Sequence, residues 1–162
     1  MEIRYSASDE FSESEVIELY EANGWSSAKK PETLMKALLG SHRVVTARSD
    51  SRLVGLGNAI SDGHLVVYYS HLLIHPEFQR KGIGTEIMKK MKEAYGDFHQ
   101  QQLTADGNAI KFYESMGFER TPILTVKNKT PINESLFVSQ RLVQQFSPQV
   151  KGIVQEALKR GI

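Results

Sequence analysis

Residues 64–84 read HLVVYYSHLLIHPEFQRKGIG. The first half, His64–Ile74, is a long apolar run rich in Val and Tyr, which is the pattern of a buried strand. His75-Pro76 ends it, since proline lacks the N–H that a strand ladder uses. After Pro76 the period changes. Gln79-Arg80-Lys81-Gly82-Ile83-Gly84 leads into a helix over about 83–95, with Ile83, Ile87, Met88, Met91 and Tyr95 on one side and Lys89, Lys90 and Lys92 on the other. Gly82 and Gly84 remove side chains where a loop becomes a helix. A helix N-terminus presents unpaired N–H groups and partial positive charge, and small residues let a phosphate reach them. Arg80 and Lys81 add charge beside it, so the segment reads as a cradle for a pyrophosphate. The glycines alone also fit a tight strand-to-helix turn that binds nothing. Two other phosphate motifs fit less well. A P-loop needs Gly-Lys-Ser/Thr where Gly84-Thr85-Glu86 stands, and a dinucleotide fingerprint needs a third glycine where Ile87 stands.

Upstream, Arg43–Arg48, Arg52–Ile60 and His64–Ile74 are divided by Ser49-Asp50-Ser51 and Ser61-Asp62-Gly63, which predicts consecutive antiparallel strands. Residues 2–6 alternate as a first strand. Ser12 with Glu15 forms a capping box for a helix over about 13–22, and Pro31 opens a second helix that Gly40 stops. Downstream, residues 99–105 form a polar strand, and Asn108–Met116 a helix with Ala109, Phe112, Tyr113 and Met116 on one face, closed by Gly117. A meander followed by a βαβ crossover predicts an α/β (α+β) fold, a mixed central sheet with helices on its faces. In the last stretch, residues 133–146 fit strand or helix, and Ser147-Pro148 starts a helix with Val150, Ile153, Val154, Ala157 and Leu158 on one face.

Two segments one βα unit apart carry a resemblance. Gln79 through Gly84 together with Asn108-Ala109-Ile110-Lys111-Phe112-Tyr113-Glu114-Ser115-Met116-Gly117-Phe118 resembles the GCN5-related N-acetyltransferases (GNAT), over about residues 52–120. The resemblance implies a GNAT domain over 1–130, with 131–162 as a C-terminal extension packed on that domain or across a homodimer. It implies acetyl-CoA as co-substrate, its pyrophosphate held by Gln79, Arg80, Lys81, Gly82, Ile83, Gly84 and Thr85. Leu72, Leu73 and Ile74 would offer backbone groups to the pantetheine arm and polarise the thioester, and Asn108 would hydrogen-bond the arm. Tyr113 would donate a proton to the departing thiolate. The implied activity is direct transfer of the acetyl group to a primary amine of a small molecule or peptide. The alternative is a non-catalytic module that keeps the fold and senses acyl-CoA or a protein partner.

Transfer also needs a neutral amine, so a base or a water path must take its proton. Many relatives carry a carboxylate or histidine on the acceptor side of the long strand. Here strict alternation puts Tyr68 and Ser70 there and His71 on the opposite face unless a bulge rotates it. A water chain past Ser70 and the Tyr68 hydroxyl is the preferred path, with Asp62, His64 and His71 as weaker candidates. Tyr20, Glu21 and Trp25 would meet the acceptor, an aromatic and a carboxylate suiting an amine's carbon body and charge.

Composition excludes several other functions. The 162 residues are 40% apolar and 24% charged, enough for a buried core. The formal net charge of +1 gives no basic field for nucleic acid. The chain has no cysteine, which removes thiol nucleophiles and suits a reducing cytoplasm. No uncharged apolar run approaches the ~20 residues that span a bilayer, and MEIRYSASDE lacks the apolar centre of a secretory signal. His71 and His75 flank a strand end without a completing carboxylate, so no metal site is expected.

Overall fold

The capping box at Ser12 is formed. Ser12 Oγ accepts the Glu15 N–H at 3.3 Å, and Glu15 Oε2 accepts the Ser12 N–H at 2.9 Å. It opens α1, Glu13–Ala22. Pro31, whose fixed φ suits a first helical turn, opens α2, Pro31–Leu39. The computed structural model describes residues 2–7, 10–105, 107 and 109–122. The remaining elements are β1 (Ile3–Ser6), β2 (Arg43–Ser49), β3 (Arg52–Ser61), β4 (Val66–Ile74), α3 (Ile83–Ala94), β5 (Gln100–Leu103) and α4 (Ala109–Ser115).

The five strands lie in sequence order as one sheet, antiparallel from β1 to β4 and parallel between β4 and β5, the mixed sheet expected from a meander and a crossover. β4 starts at Val66, two residues later than the apolar run. The Asp62 carboxylate accepts the N–H groups of His64, Leu65 and Val66 at 2.9–3.0 Å, which holds 62–65 as a turn and takes the N–H groups of His64 and Leu65 out of strand pairing.

Each face of the sheet has its own cover. On one face, Val16, Leu19 and Tyr20 of α1 and Leu34 and Leu38 of α2 pack against Val44, Leu53, Leu56 and Leu73. On the other, α3 buries Ile83, Ile87, Met88 and Met91. A Cβ at Gly57 would stand 2.8 Å from Ile87 Cγ2, so that glycine sets how closely α3 approaches β3.

One irregularity matters for function. Asn58 of β3 pairs with His71 of β4, whereas Ala59 pairs with Tyr69, so Ser70 is the extra residue of a β-bulge. Beyond it, β4 continues five residues to Ile74, but its pairing with β5 stops at Tyr69 and Leu103.

The chain divides into two compact units at Ala105 and Asp106. In the second, Gly117 closes off α4 two residues past its end, with a φ of +88° that few other residues tolerate. The N–H of Phe118 donates to Tyr113 O at 3.1 Å, and Arg120 pairs with Glu114 at 2.7 Å. Asn108, the 130/131 boundary, the segment 133–146 and the helix expected from Ser147 lie outside the described residues. Among the described residues, no helix is long and apolar enough to cross a membrane.

Arg48 ties α1 to the sheet. Its guanidinium donates to the Glu15 carboxylate and to the carbonyls of Ser51 and Glu10. The Arg48 bond, helped by the Ser12 N–H and hydroxyl, lowers the Glu15 carboxyl from its ordinary 4.5 to about 2. A carboxyl depressed by folding stabilises the fold above its unfolded pKa and loses that contribution as pH falls toward its folded one. Glu15→Gln should therefore lower the melting temperature at pH 7. The difference from wild type should shrink between pH 4.5 and about 2, read by thermal melts across that range.

Candidate active site

The bulge decides what faces what. Tyr69 lies on the α3 side, its ring 6.1 Å from that of Tyr95 at the end of α3 and its hydroxyl donating to Gln101 at 2.7 Å. Leu72 is also on the α3 side, near the space above Gly57. Strict alternation cannot put both 69 and 72 on one face; the extra residue at Ser70 does. Tyr68 therefore shares the α1 face with His71 and Leu73. This corrects the expectation that His71 points away from Tyr68.

On that face the His71 ring is held on two sides. Tyr20 Oη lies 2.7 Å from Nδ1, with donor and acceptor roles set by the tautomer. The Trp25 and Tyr20 rings meet the imidazole edge-on at 5.1 and 5.7 Å. Tyr20 is fully buried, and burial pushes its hydroxyl well above the ordinary phenol range, so it stays neutral. Trp25 is 38% exposed and Glu21 is exposed beside it in sequence, so these two offer surface to a ligand while Tyr20 works from behind His71. Tyr68 is 37% exposed and donates its hydroxyl to Thr104 Oγ1 at 3.0 Å. Ser70 Oγ is buried without a hydrogen-bond partner. Asp62 is spent on its turn, and the three N–H groups there hold its carboxyl at about 2.

The backbone of β4 supplies the second part. His75 N–H bonds Val54 O at 2.9 Å. Alternation along the antiparallel pair then commits the N–H and C=O of Leu73 to β3 and turns those of Leu72 and Ile74 toward the edge where β5 has stopped. Gln79 Nε2 donates to Ile74 O on that edge at 3.0 Å and reaches Asn23 Oδ1 at 3.4 Å.

The glycine loop follows. Gly82 caps α3 with φ +81°, offers no side chain to the helix N-terminus, and would have open space around a Cβ. Arg80, at φ +59°, also takes the left-handed conformation, which costs a non-glycine residue about 1–2 kcal/mol. Left-handed residues at 80 and 82 turn the chain sharply ahead of the α3 N-terminus, the kind of turn in which backbone N–H groups form anion-binding concavities. A pyrophosphate therefore fits these residues. Lys81 turns its ammonium to Glu77 O at 2.8 Å and over the Phe78 ring at 5.0 Å, so it supports the loop. Lys89 and Lys90 pair with Glu93 and Glu86 along the helix. Among the described residues, no cluster of three His, Asp or Glu could hold a metal.

Asn58, buried and paired with His71 across the β3–β4 ladder, was not singled out by the sequence. Its signal is a lone polar residue at an inward-facing position of the apolar strand LVGLGNAI, in step with Leu56.

The sequence profile of the acetyltransferase (GNAT) domain matches residues 7–131, and the chain belongs to that family. It is 29% identical over 117 residues to the uncharacterized N-acetyltransferase ycf52 of Porphyra purpurea, covering 67% of this chain and 65% of that protein. It is 30% identical over 77 residues to the chloroplastic GCN5-related N-acetyltransferase 2 of Arabidopsis thaliana, covering 46% of this chain and 30% of that one. The chain thus spans less than two thirds of the length of these curated relatives. A solved GNAT-family acetyltransferase from Streptococcus pneumoniae superimposes with a TM-score of 0.69 at 29% identity, covering 79% of this chain and all of that one.

Tyr20→Phe removes one hydroxyl and keeps the packing. It should cost about 1 kcal/mol of stability and change the tautomer balance of His71, read from imidazole ¹⁵N shifts. Unchanged shifts would mean that Tyr20 does not orient the ring.

Proposed function

We propose that the chain transfers the acetyl group of acetyl-CoA directly to a primary amine of a small molecule or peptide, with both substrates bound at once. The observation that carries this reading is the edge of β4 from Ser70 to Ile74, unpaired with β5 and running into a helix N-terminus preceded by two left-handed residues. Acetyl-CoA supplies an activated thioester, and no cysteine is present to carry an acyl group in its place. Gln79 through Thr85 hold the diphosphate, mostly by main-chain N–H. The edge groups of Leu72 and Ile74 pair with the arm as a missing strand would. The Leu72 N–H, aimed into the gap, stabilises negative charge on the carbonyl oxygen. Leu73 contributes by fixing its neighbours, since its own backbone faces β3.

His71 takes the amine's proton. With Nδ1–H donated to Tyr20 Oη, Nε2 carries the lone pair that accepts it. As the amine nitrogen bonds the acyl carbon, the carbon–sulfur bond breaks. Tyr113 gives its hydroxyl proton to the sulfur and regains one from solvent. Asn108 holds the arm through its side chain. These last two roles rest on the family motif. Ser70 and Tyr68 line a water path to His71, and Trp25 with Glu21 receives the acceptor's carbon body and charge. The absence of cysteine suits a reducing compartment such as the cytoplasm, and the tail 131–162 packs on the domain or across a homodimer.

Release of free thiol from acetyl-CoA with a panel of primary amines tests the activity. Turnover on at least one amine is expected; binding without turnover on any would mark a sensing module. Gly84→Glu, which puts bulk and negative charge at the cradle, should abolish acetyl-CoA binding by calorimetry while leaving the melting temperature of the free protein nearly unchanged. Tyr113→Phe should lower kcat by about 100-fold with little change in KM for acetyl-CoA. Equal turnover would remove Tyr113 from the mechanism.

A further inference from the structure

We propose that Asn58 is a positioning residue for His71: its carboxamide oxygen is the acceptor to which the ring donates once it holds the substrate's proton. The proposal rests on the reading of His71 as the proton acceptor.

Asn58 lies directly across the β3–β4 ladder from His71, and such partners project to the same face with Cβ atoms about 4.5–5.5 Å apart. It is only 3% exposed. Its Nδ2 donates to Ser41 Oγ at 2.8 Å, and Ser41 Oγ donates to Ala37 O at 2.9 Å. A hydroxyl has one proton, and Ser41 has committed it to Ala37. Ser41 can therefore only accept from Asn58, which fixes which end of the carboxamide faces it. Ser41 lies just before β2, on the side of β3 away from β4. The nitrogen is thus anchored on the β2 side, and the oxygen is left for a donor from elsewhere.

That oxygen is buried and has no hydrogen-bond partner. A fold keeps such an atom at a cost, because nothing replaces the water it lost. The proton cycle of His71 accounts for it. A neutral ring that donates Nδ1–H to Tyr20 presents Nε2 as a lone pair, and a lone pair cannot bond a carbonyl oxygen. Once Nε2 takes the amine's proton it becomes a donor, and the buried Asn58 Oδ1 on the facing position of β3 is the acceptor that the proposal gives it. The imidazolium is then held by Tyr20 Oη on one nitrogen and by Asn58 Oδ1 on the other. Because the second bond exists only in the protonated form, it strengthens His71 as a base at the step where a proton moves.

Tyr20 of α1 is the titratable group hydrogen-bonded to His71, and Tyr68 of β4 shares its face. Trp25 brings its ring, and α2 brings Leu34 and Leu38. Burial raises the Tyr20 hydroxyl above the ordinary phenol range, so it stays neutral where a histidine titrates.

The test uses the full chain, the best amine from the thiol-release panel, and two substitutions with opposite expected signs. Asn58→Leu should keep the fold and the acetyl-CoA affinity and lower kcat about tenfold. It should also move the acidic limb of the kcat/KM profile, and the ¹⁵N-detected titration of His71, down by about one pH unit. Asn58→Asp, which puts an anion in the same place, should move both upward. Ser41→Ala, at a half-buried loop position, should free the carboxamide and give a smaller shift in the direction of the leucine variant, so the proposal stays testable if a β3 variant fails to fold. A limb and a titration that stay put in all folded variants, while His71→Gln abolishes the limb, would overturn the role of Asn58 alone. Wild-type turnover and an intact limb in His71→Gln would overturn the reading of His71 itself.

Discussion

A single extra residue in β4 governs the site. Ser70 has no partner on β3, and the slip it causes acts on both sides of the strand. Across the sheet, it reverses the facing of the side chains, so that Tyr68 and His71 come to one face and Tyr69 and Leu72 to the other. Along the sheet, the ladder to β5 ends one residue before it, so that among the described residues no strand pairs with that edge of the last five residues of β4. A bulge raises local twist and re-aims side chains, and these two effects give the strand a side-chain site and a backbone site at the same place. The α1 helix, fastened to β2 through Arg48 and Glu15, then brings Tyr20 to His71 from above.

Most of the fold was legible because its signals are local. The capping box at Ser12, the proline at the start of α2, the two polar turns of the meander and the change of period after Pro76 all sit within a few residues of the boundaries they set. The late start of β4 was not legible from hydrophobicity, since His64 and Leu65 continue the apolar run. What stops the strand there is a side chain, Asp62, competing for its N–H groups. The turn into α3 was legible for a different reason: Gly82 takes a left-handed backbone angle that favours glycine.

The acceptor side was less legible because it depends on pairing between strands. Alternation read along β4 alone sends His71 to the wrong face. Only the register against β3 shows the slip, and register is a relation between segments that neither one encodes by itself. Asn58 was invisible for the same reason. In its own strand it is one polar residue among apolar ones, and it acquires meaning only from its partner across the ladder and from the serine that orients it. Tyr20 reads on the helix as part of an apolar stripe, which it is; its hydroxyl matters because of a residue 51 positions away.

The unmatched edge of β4 has a consequence for the protein between turnovers. Outward-facing N–H and C=O groups form a template for any extended chain, including a second copy of this one. A ligand lying along that edge occupies the same hydrogen bonds that a foreign strand would use. A form of the protein with nothing lying along that edge is therefore the one most exposed to self-association and aggregation.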